Sequence, residues 1–376
     1  MSELADQLFK ILINGGIILG IFVVLLINNK SVRKSRANFF LSILLAAFTF
    51  SIFHIKYAGN VISHFSIQAY NVGDPTFLVI APLLWFYVEE LTGRRVLFFL
   101  KSVLHFLPFF FIVFCSIFFK SLAPENPLAI FLESHHRLPI IIFWIIVMAQ
   151  FSFYQFFIQR RWLSYQHLMR QEVSNTEDIN ISWVKFFMSV FLVIDLFLLF
   201  GLFAVIHLDY MMWLSKAVGV VFSLSVFALG YKGILQKEVF YKDEIPKLEE
   251  EVSLPNREIL NKPDQQLIDK LVAHMTEKKP FLDPELTLSS LAKDLDISRS
   301  VLSQLINDGI GENFYDFVNK YRVEEVKRLM TDPEVKNFNL LGIALEAGFK
   351  SKSTFNLIFK RFTGLTPTEY RKNISK

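Results

Sequence analysis

Three stretches of the chain, residues 11–29, 37–55 and 138–159, contain no Asp, Glu, Lys or Arg. A helix that crosses the hydrocarbon core of a bilayer needs about 20 mostly apolar residues, so each stretch is long enough to span it. The chain is 53% hydrophobic without counting glycine and has 42 Phe among 376 residues, whereas soluble domains average about 45–50% apolar with glycine included. The sequence excludes a disordered protein and favours a membrane protein with a water-soluble part.

Weaker apolar stretches raise the predicted number of spanning helices to seven. The third is the weakest, because Pro75 and Pro82 interrupt it. A signal peptide is a poor interpretation of the first span, because Glu3 and Asp6 stand where a basic cluster would be expected. The seven spans are predicted at about 8–27, 39–57, 75–91, 103–119, 138–158, 184–206 and 211–231.

The basic residues of the loops predict the orientation. The loops after spans one, three and five together carry ten Lys or Arg, and the alternate loops carry two. Cytoplasmic loops of membrane proteins carry the excess of basic residues. We therefore expect the N-terminus outside and the C-terminus in the cytoplasm, which agrees with an odd number of spans.

A few polar residues fall within the predicted spans. Asp195 lies near the middle of span six and Lys216 lies inside span seven. An ionisable residue at this depth marks a functional site by default, so these two are the candidate membrane signal site. The alternative is that Asp195 is protonated or paired in the bundle and that Lys216 extends to the interface. His105, in span four, is more simply a hydrogen-bonded core histidine, and the single Cys115 excludes multi-cysteine metal sites.

The charge distribution predicts a domain boundary. Residues 246–376 hold 20 basic and 20 acidic residues, although they are only the last third of the chain. Three segments are predicted: a seven-span membrane domain at 1–235, a juxtamembrane helix and linker at 236–263, and a cytoplasmic helical domain at 264–376. The predicted fold is all-α throughout.

The cytoplasmic part contains a repeated pattern. The stretches 288–306 and 340–359 each read as a short amphipathic helix, a tight turn and a second helix that a serine opens, Ser298 in the first and Ser351 in the second. A serine at this position can cap the unpaired N–H groups of the first helical turn. The pattern is the helix-turn-helix signature, and the two units are predicted at about 286–307 and 339–362.

A longer amphipathic stretch at 313–330 separates the two units. As a helix it would be about 27 Å long, and one turn of DNA is about 34 Å. Such a helix could hold two recognition helices in successive major grooves on one face of a duplex.

Residues 264–376 resemble the two-unit helix-turn-helix domain of AraC/XylS-type transcription regulators. The resemblance is strongest over AGFKSKSTFNLIFKRFTGLTPTEYR, residues 347–371. It implies binding to promoter DNA and regulation of transcription, with RNA polymerase as a partner. The matching residues are Gly348, Phe349, Phe355, Phe359, Lys360, Gly364, Pro367, Tyr370 and Arg371.

Position in the two recognition helices then assigns candidate contacts. Side chains of these types can pair with base edges in the major groove, while others are better placed for the phosphates. The alternative is that several of them only cap or solvate the helices. Leu357 is left out, since some family members place a basic reader there. The candidate base readers are Arg299, Ser300, Ser303, Gln304, Lys352, Ser353, Thr354 and Asn356, and the candidate phosphate contacts are Ser298, Ser351, Lys360 and Arg371.

The leading functional hypothesis is a regulator anchored in the bacterial inner membrane that binds promoter DNA and responds to a signal received by the membrane domain. A transporter or channel with a DNA-binding tail is the alternative. A membrane enzyme is disfavoured, because the chain contains no G-x-S-x-G, H-E-x-x-H, G-x-x-x-x-G-K-[ST] or G-x-G-x-x-G pattern, and no cofactor is expected. The expected partners are double-stranded promoter DNA, the lipid bilayer and RNA polymerase, with a second copy of the chain and an unidentified effector or membrane partner as further candidates.

Overall fold

The computed structural model describes residues 2–29, 36–57, 75–97, 100–121, 125–135, 137–175, 181–207, 211–235, 264–333, 335 and 338–374. Within these residues the elements are helical, apart from one isolated antiparallel bridge between Val173 and Thr287. The all-helical prediction is therefore confirmed for the described part. The predicted linker at 236–263 lies outside it. Two compact units are distinguished, one formed by 1–162 and 182–247, the other by 163–181 and 248–376.

The helices of the first unit vary widely in length. The longest, α7, covers 36 residues, and from Leu163 onward it belongs to the second unit. The helices are α1 (Ser2–Asn28), α2 (Arg36–Tyr57), α3 (Phe77–Leu91), α4 (Leu100–Leu104), α5 (Leu107–Ser121), α6 (Pro127–Ser134), α7 (Arg137–Glu172), α8 (Ile181–His207) and α9 (Met211–Leu235).

Helices α1, α2 and α9 approach one another closely because small residues line their contacts. A Cβ atom on Gly16 would lie 2.2 Å from the Ser223 hydroxyl, and one on Gly20 would lie 2.1 Å from the Thr49 hydroxyl. The Ser223 and Thr49 hydroxyls donate to carbonyl oxygens one turn earlier in their own helices. Small residues four apart, with hydroxyls bonded in this way, are typical of helix packing in membranes.

Three helical segments of the described chain are long and apolar enough to cross a membrane: 7–28, 36–54 and 141–172. Two shorter apolar helical stretches occur at 188–203 and 217–231. The seven-span arrangement and its orientation therefore stay predictions.

The second unit consists of short helices around one long one. Its helices are α10 (Gln265–Lys278), α11 (Leu288–Asp294), α12 (Arg299–Gln304), α13 (Phe314–Thr331), α14 (Leu340–Glu346), α15 (Lys352–Thr363) and α16 (Pro367–Ile374), with a 3₁₀ turn at Pro280–Leu282 and a π-helical turn at Leu305–Ile310 after α12.

Helix α13 contributes to two separate hydrophobic cores. Phe317 and Val318, near its start, are buried with residues of α10, α11 and α12. Val323 and Val326, further along, are buried with residues of α14 and α15. One 18-residue helix therefore supports both helix-turn-helix units.

Candidate nucleic-acid interface

The two helix-turn-helix units close their turns with matching hydrogen bonds. In the first, the N–H of Ile297 donates to the carbonyl of Ala292 at 3.1 Å. In the second, the N–H of Phe349 donates to the carbonyl of Ala344 at 3.0 Å. Both alanines are buried, so the second helix of each unit packs closely across the first. The internal repeat seen in the sequence is thus a repeat of backbone structure.

Serine caps open both recognition helices, as the sequence predicts. The Ser298 hydroxyl accepts from the N–H of Val301, and the Ser351 hydroxyl accepts from the N–H of Thr354, both at 3.3 Å. A hydroxyl has one proton to donate and two acceptor lone pairs. Capping therefore does not prevent either serine from contacting a phosphate, and the phosphate assignments stay predictions.

The second recognition helix, α15, presents a polar face to the solvent. Lys352, Ser353, Asn356 and Lys360 are exposed, and Thr354 is half-buried. The opposite face is apolar and buries Phe355, Ile358 and Phe359. The exposed residues recur at spacings of three and four, so they share one side of the helix. The predicted readers of this unit are thereby placed together.

Leu357, which the sequence analysis leaves out of the base readers, lies on the same exposed face. Its side chain is 69% exposed, although leucine is usually buried. It follows Asn356 and precedes Lys360 by three residues, so it belongs to the polar face rather than the core. Its position outside the 3.6-residue apolar period is the sequence signal for this exposure. An exposed apolar side chain in a major groove can contact the thymine methyl group.

The first recognition helix is shorter and less accessible. Helix α12 has six residues before the π-helical turn. Ser300 is exposed, while Ser303 and Gln304 are half-buried. The Ser303 hydroxyl accepts from the Asn307 side-chain amide at 3.1 Å. Sequence reasoning placed these residues on one helix but did not anticipate that Ser303 has an internal partner.

Arg299, the first residue of α12, is bound to a carboxylate. Its Nε donates to Oε2 of Glu172 at 2.9 Å, and its Nη2 donates to Oε1 of the same residue. The two side chains are 18% and 8% exposed, respectively. Glu172 is the last residue of α7, and sequence reasoning gave it no role. Its partner is 127 residues away, so no local pattern could have indicated the contact.

The basic residues near the C-terminus divide into paired and exposed ones. Lys350 pairs with Glu285, and Arg361 pairs with Asp316. Arg371, a predicted phosphate contact, donates from Nη1 to the Phe338 carbonyl at 3.0 Å. Lys360 is exposed, and among the predicted phosphate contacts it is the cation best presented to DNA.

Arg322 of α13 connects distant segments of the second unit. It is 1% exposed, and it donates to the carbonyls of Phe281, Asp283 and Ser174 and to the Ser174 hydroxyl at 2.8–3.0 Å. Burial lowers its pKa to about 10. It therefore remains charged at neutral pH, and its fork of donors holds three parts of the chain together.

Glu325, three residues after Arg322 on α13, lies between two cations. It accepts from Arg328 at 2.9 and 3.1 Å and from Lys279 at 3.0 and 3.1 Å. The hydrogen bond from Arg328, aided by that from Lys279, holds the Glu325 pKa below its usual range against the opposing effect of burial. This carboxylate ties the end of α10 to the helix shared by both units.

In the first unit, the Ser152 hydroxyl donates to Oδ2 of Asp195 at 3.1 Å. The side chain of Lys216 lies outside the described residues, so the suggested Asp195–Lys216 pair stays a prediction. The His105 ring is hydrogen-bonded to the Tyr154 hydroxyl at 2.6 Å, in line with a core histidine. Within the described residues, no group of three or more His, Cys, Asp or Glu could hold a metal ion.

Comparisons with known proteins match part of the chain in sequence. An uncharacterized HTH-type transcriptional regulator of Staphylococcus aureus (strain COL) is 33% identical over 117 residues, which are 31% of this chain and 14% of the relative. The uncharacterized transcriptional regulatory protein YesN of Bacillus subtilis (strain 168) is 35% identical over 92 residues, 24% of each chain. The chain thus spans a seventh to a quarter of these relatives.

Two solved structures also match. The C-terminal domain of the two-component response regulator yesN of Fusobacterium nucleatum is 31% identical and covers 28% of this chain and 96% of its own, with a TM-score of 0.24. A Listeria innocua protein is 33% identical, at 28% and 94% coverage, with a TM-score of 0.25. A family model described as a helix-turn-helix domain matches residues 291–373. Residues 291–373 therefore form an AraC-type helix-turn-helix domain, which confirms this part of the resemblance predicted over 264–376.

Proposed function

We propose that the chain is a bacterial transcription regulator anchored in the inner membrane, which binds promoter DNA through its two helix-turn-helix units under the control of a signal received by the membrane domain. The observation that carries the proposal is the placement of two capped recognition helices, α12 and α15, on the single helix α13. An 18-residue helix is about 27 Å long. This length suits two recognition helices that enter major grooves roughly one turn of DNA apart.

The exposed face of α15 supports sequence-specific binding. Asn356 can pair bidentately with adenine, and Lys352 can donate to guanine. Lys360 lies on the same side and suits a phosphate. The partners that this proposal entails are promoter DNA and RNA polymerase, and a second copy of the chain belongs to it as a hypothesis.

Membrane anchoring is supported by the surface of the first unit. Large apolar side chains such as Ile18 and Leu25 point outward, each more than two-thirds exposed. Contiguous exposed apolar surface of this kind marks a protein or membrane contact. At one end of α3, the Glu90 carboxylate is buried against Arg36 at 3.2 Å. A satisfied charge at a helix end suits a boundary between lipid and cytoplasm.

The DNA-binding part is tested with the full chain in lipid nanodiscs and a random duplex library. We expect enrichment of a motif with one part read by α15 and a weaker part, about 10 base pairs away, read by α12. The double variant Lys352→Ala/Asn356→Ala should lose only the part read by α15. Failure of the wild-type chain to enrich any sequence over empty nanodiscs would rule the proposal out.

The topology is tested with alkaline phosphatase fusions, which are active only outside the cytoplasm. A fusion after residue 66, in a predicted outer loop, should be active, and one after residue 97, in a predicted inner loop, should be inactive. The opposite pattern would place the DNA-binding domain outside the cell and contradict the function.

Asp195 is the proposed site of signal response, because the described residues pair it with Ser152 of another helix. We expect Asp195→Asn to change reporter output in cells at an unchanged protein level, and Ser152→Ala and Lys216→Met to change it partly. Wild-type output under every growth condition would mean that Asp195 is structural.

A further inference from the structure

The segment at the end of α7 binds to the first helix-turn-helix unit. Val173 forms an antiparallel bridge with Thr287, the residue that caps α11. The N–H of Ser174 donates to the carbonyl of Leu286 at 3.2 Å, and its hydroxyl donates to the same carbonyl at 2.7 Å. We call residues 163–175 the clasp.

The clasp is also held from helix α13. Arg322 donates to the Ser174 carbonyl and hydroxyl, both at 3.0 Å, and the Asn319 amide donates to the same carbonyl at 3.2 Å. Asn319 and Arg322 are both fully buried. A docking surface with buried polar partners is specific, because an unmatched partner would leave those groups unsatisfied.

The clasp places a carboxylate on a predicted base reader. Glu172 and Arg299 form a two-point pair, which is the geometry that an arginine also uses toward guanine or phosphate. Arg299 cannot make both contacts with the same donors. The negative charge of Glu172 at the start of the recognition helix would also repel a DNA backbone that approached it.

We propose that the clasp is an intramolecular partner of the first helix-turn-helix unit that masks Arg299, so that the chain binds DNA fully only after the clasp is released. The inference rests on the proposed function and names its regulation. Masking affects one unit, because the predicted readers Lys352, Ser353 and Asn356 on α15 stay exposed.

The first test removes the negative charge of Glu172 in the full chain in nanodiscs. Glu172→Gln should tighten binding to the selected duplex on the order of tenfold, the effect of losing one charge-assisted pair. Gln171→Ala is the matched control, since Gln171 is hydrogen-bonded to His167 within α7, and it should leave affinity unchanged. If Glu172 instead braces the reader for DNA, Glu172→Gln will weaken binding, and the inference is overturned.

The second test locks the clasp. Residues opposite each other in an antiparallel bridge have Cα atoms about 4.5–5.5 Å apart, which suits a disulfide. The double variant Val173→Cys/Thr287→Cys should bind DNA about tenfold more weakly when oxidised than when reduced, and either single variant should be insensitive to redox conditions.

Two outcomes distinguish failure of the masking proposal from failure of the proposed DNA-binding function. Equal affinity of the oxidised and reduced double variant, with a wild-type chain that does bind DNA, would overturn the masking alone. Absence of DNA binding by every form would overturn the proposed function, and the masking with it.

Discussion

The two helix-turn-helix units share their turn hydrogen bonds and serine caps but differ in access and in the residue at the turn. The first unit turns at Asp296, with φ of 58°, and the second turns at Gly348, with φ of 90°. The first presents a six-residue recognition helix whose leading arginine is bound to Glu172, whereas the second presents twelve residues with an exposed polar face. The same local fold thus carries one restrained reader and one accessible reader.

The difference shows that the residues packed around a helix-turn-helix unit determine how accessible its recognition helix is. Both units are built on α13, and the clasp contacts described above reach the first unit at Leu286, Thr287 and Arg299. Regulation of DNA binding is therefore expected to act through the first unit, while the second supplies a constant part of the affinity. Four groups of substitutions test this division, from the largest expected effect to the smallest.

Gly348→Ala should damage the second unit most. A Cβ there would lie 2.4 Å from the carbonyl oxygen of Phe281 and 3.0 Å from Nε of Arg322, at a backbone angle that favours glycine. We expect the opening free energy of α14 and α15 to fall by about 3 kcal/mol or more, from strain and overpacking together. Hydrogen exchange of the full chain in nanodiscs measures it.

Two matched changes sharpen this result. Gly364 also has positive φ, 77°, but open space around its Cβ position, so Gly364→Ala should cost only about 1–2 kcal/mol. Asp296→Gly, at the equivalent turn of the first unit, should change little, because glycine accepts that conformation readily. Equal losses for Gly348→Ala and Gly364→Ala would mean that packing at the second turn is unimportant.

Glu325→Gln should loosen both units, because its carboxylate joins Lys279, at the end of α10, to Arg328 on the shared helix α13. We expect a loss of about 1–3 kcal/mol at pH 7. The Glu325 pKa is held below its usual value of about 4.5, so its stabilisation is present above that pH and is lost as pH falls through the lowered pKa.

Hydrogen exchange at pH 7 and pH 4, corrected for the chemical exchange rate, checks this behaviour. The wild-type chain should lose more stability than Glu325→Gln as the pH falls toward and below 4. An effect confined to one helix-turn-helix unit would contradict the view of α13 as a common support.

Substituting a predicted base reader should weaken DNA binding by different amounts in the two units while the clasp is bound. Asn356→Ala is expected to cost about 1–3 kcal/mol on the selected duplex and to relax specificity at one position, whereas Lys360→Ala should weaken all sequences alike and lower the salt slope by about 1. Gln304→Ala should cost little in the wild type and more in the Glu172→Gln background. Binding isotherms at several salt concentrations measure all three, and equal costs in both backgrounds would remove the asymmetry.

Leu357 gives the smallest expected effect. If it contacts a thymine methyl, replacing that thymine by deoxyuridine should cost about 0.8 kcal/mol, the contribution of one buried carbon group. Leu357→Ala should abolish the difference between the two duplexes. A thymine preference that survives in the alanine variant would assign the contact to another residue.

Local signals explain what the sequence predicted well. A helix was expected at 313–330, and the structure has one at Phe314–Thr331, because Asn313 caps its start and Pro333 follows its end. Ser298 and Ser351 mark the starts of both recognition helices for the same reason. Such signals act within a few residues, so they can be read without knowledge of the fold.

Long-range contacts explain what the sequence did not predict. The hydrogen-bonded ion pair between Glu172 and Arg299 joins residues 127 positions apart. The sequence around each of these two residues does not distinguish the residue from an ordinary charged residue at the surface. The buried position of Arg322 is equally invisible, because an arginine in an amphipathic helix usually lies on the solvent side. The pairing of Arg371 with the Phe338 carbonyl likewise depends on how α16 packs.

The bonds from Arg322 to Ser174 also set an order of events during synthesis. The two residues are 148 positions apart, and ribosomes add about 5–20 residues per second. Ser174 therefore exists for about 7 to 30 seconds before its partner Arg322 is made. For that interval the nascent chain lacks the buried arginine that holds the Ser174 carbonyl, so the clasp gains its full set of contacts only after α13 has been made.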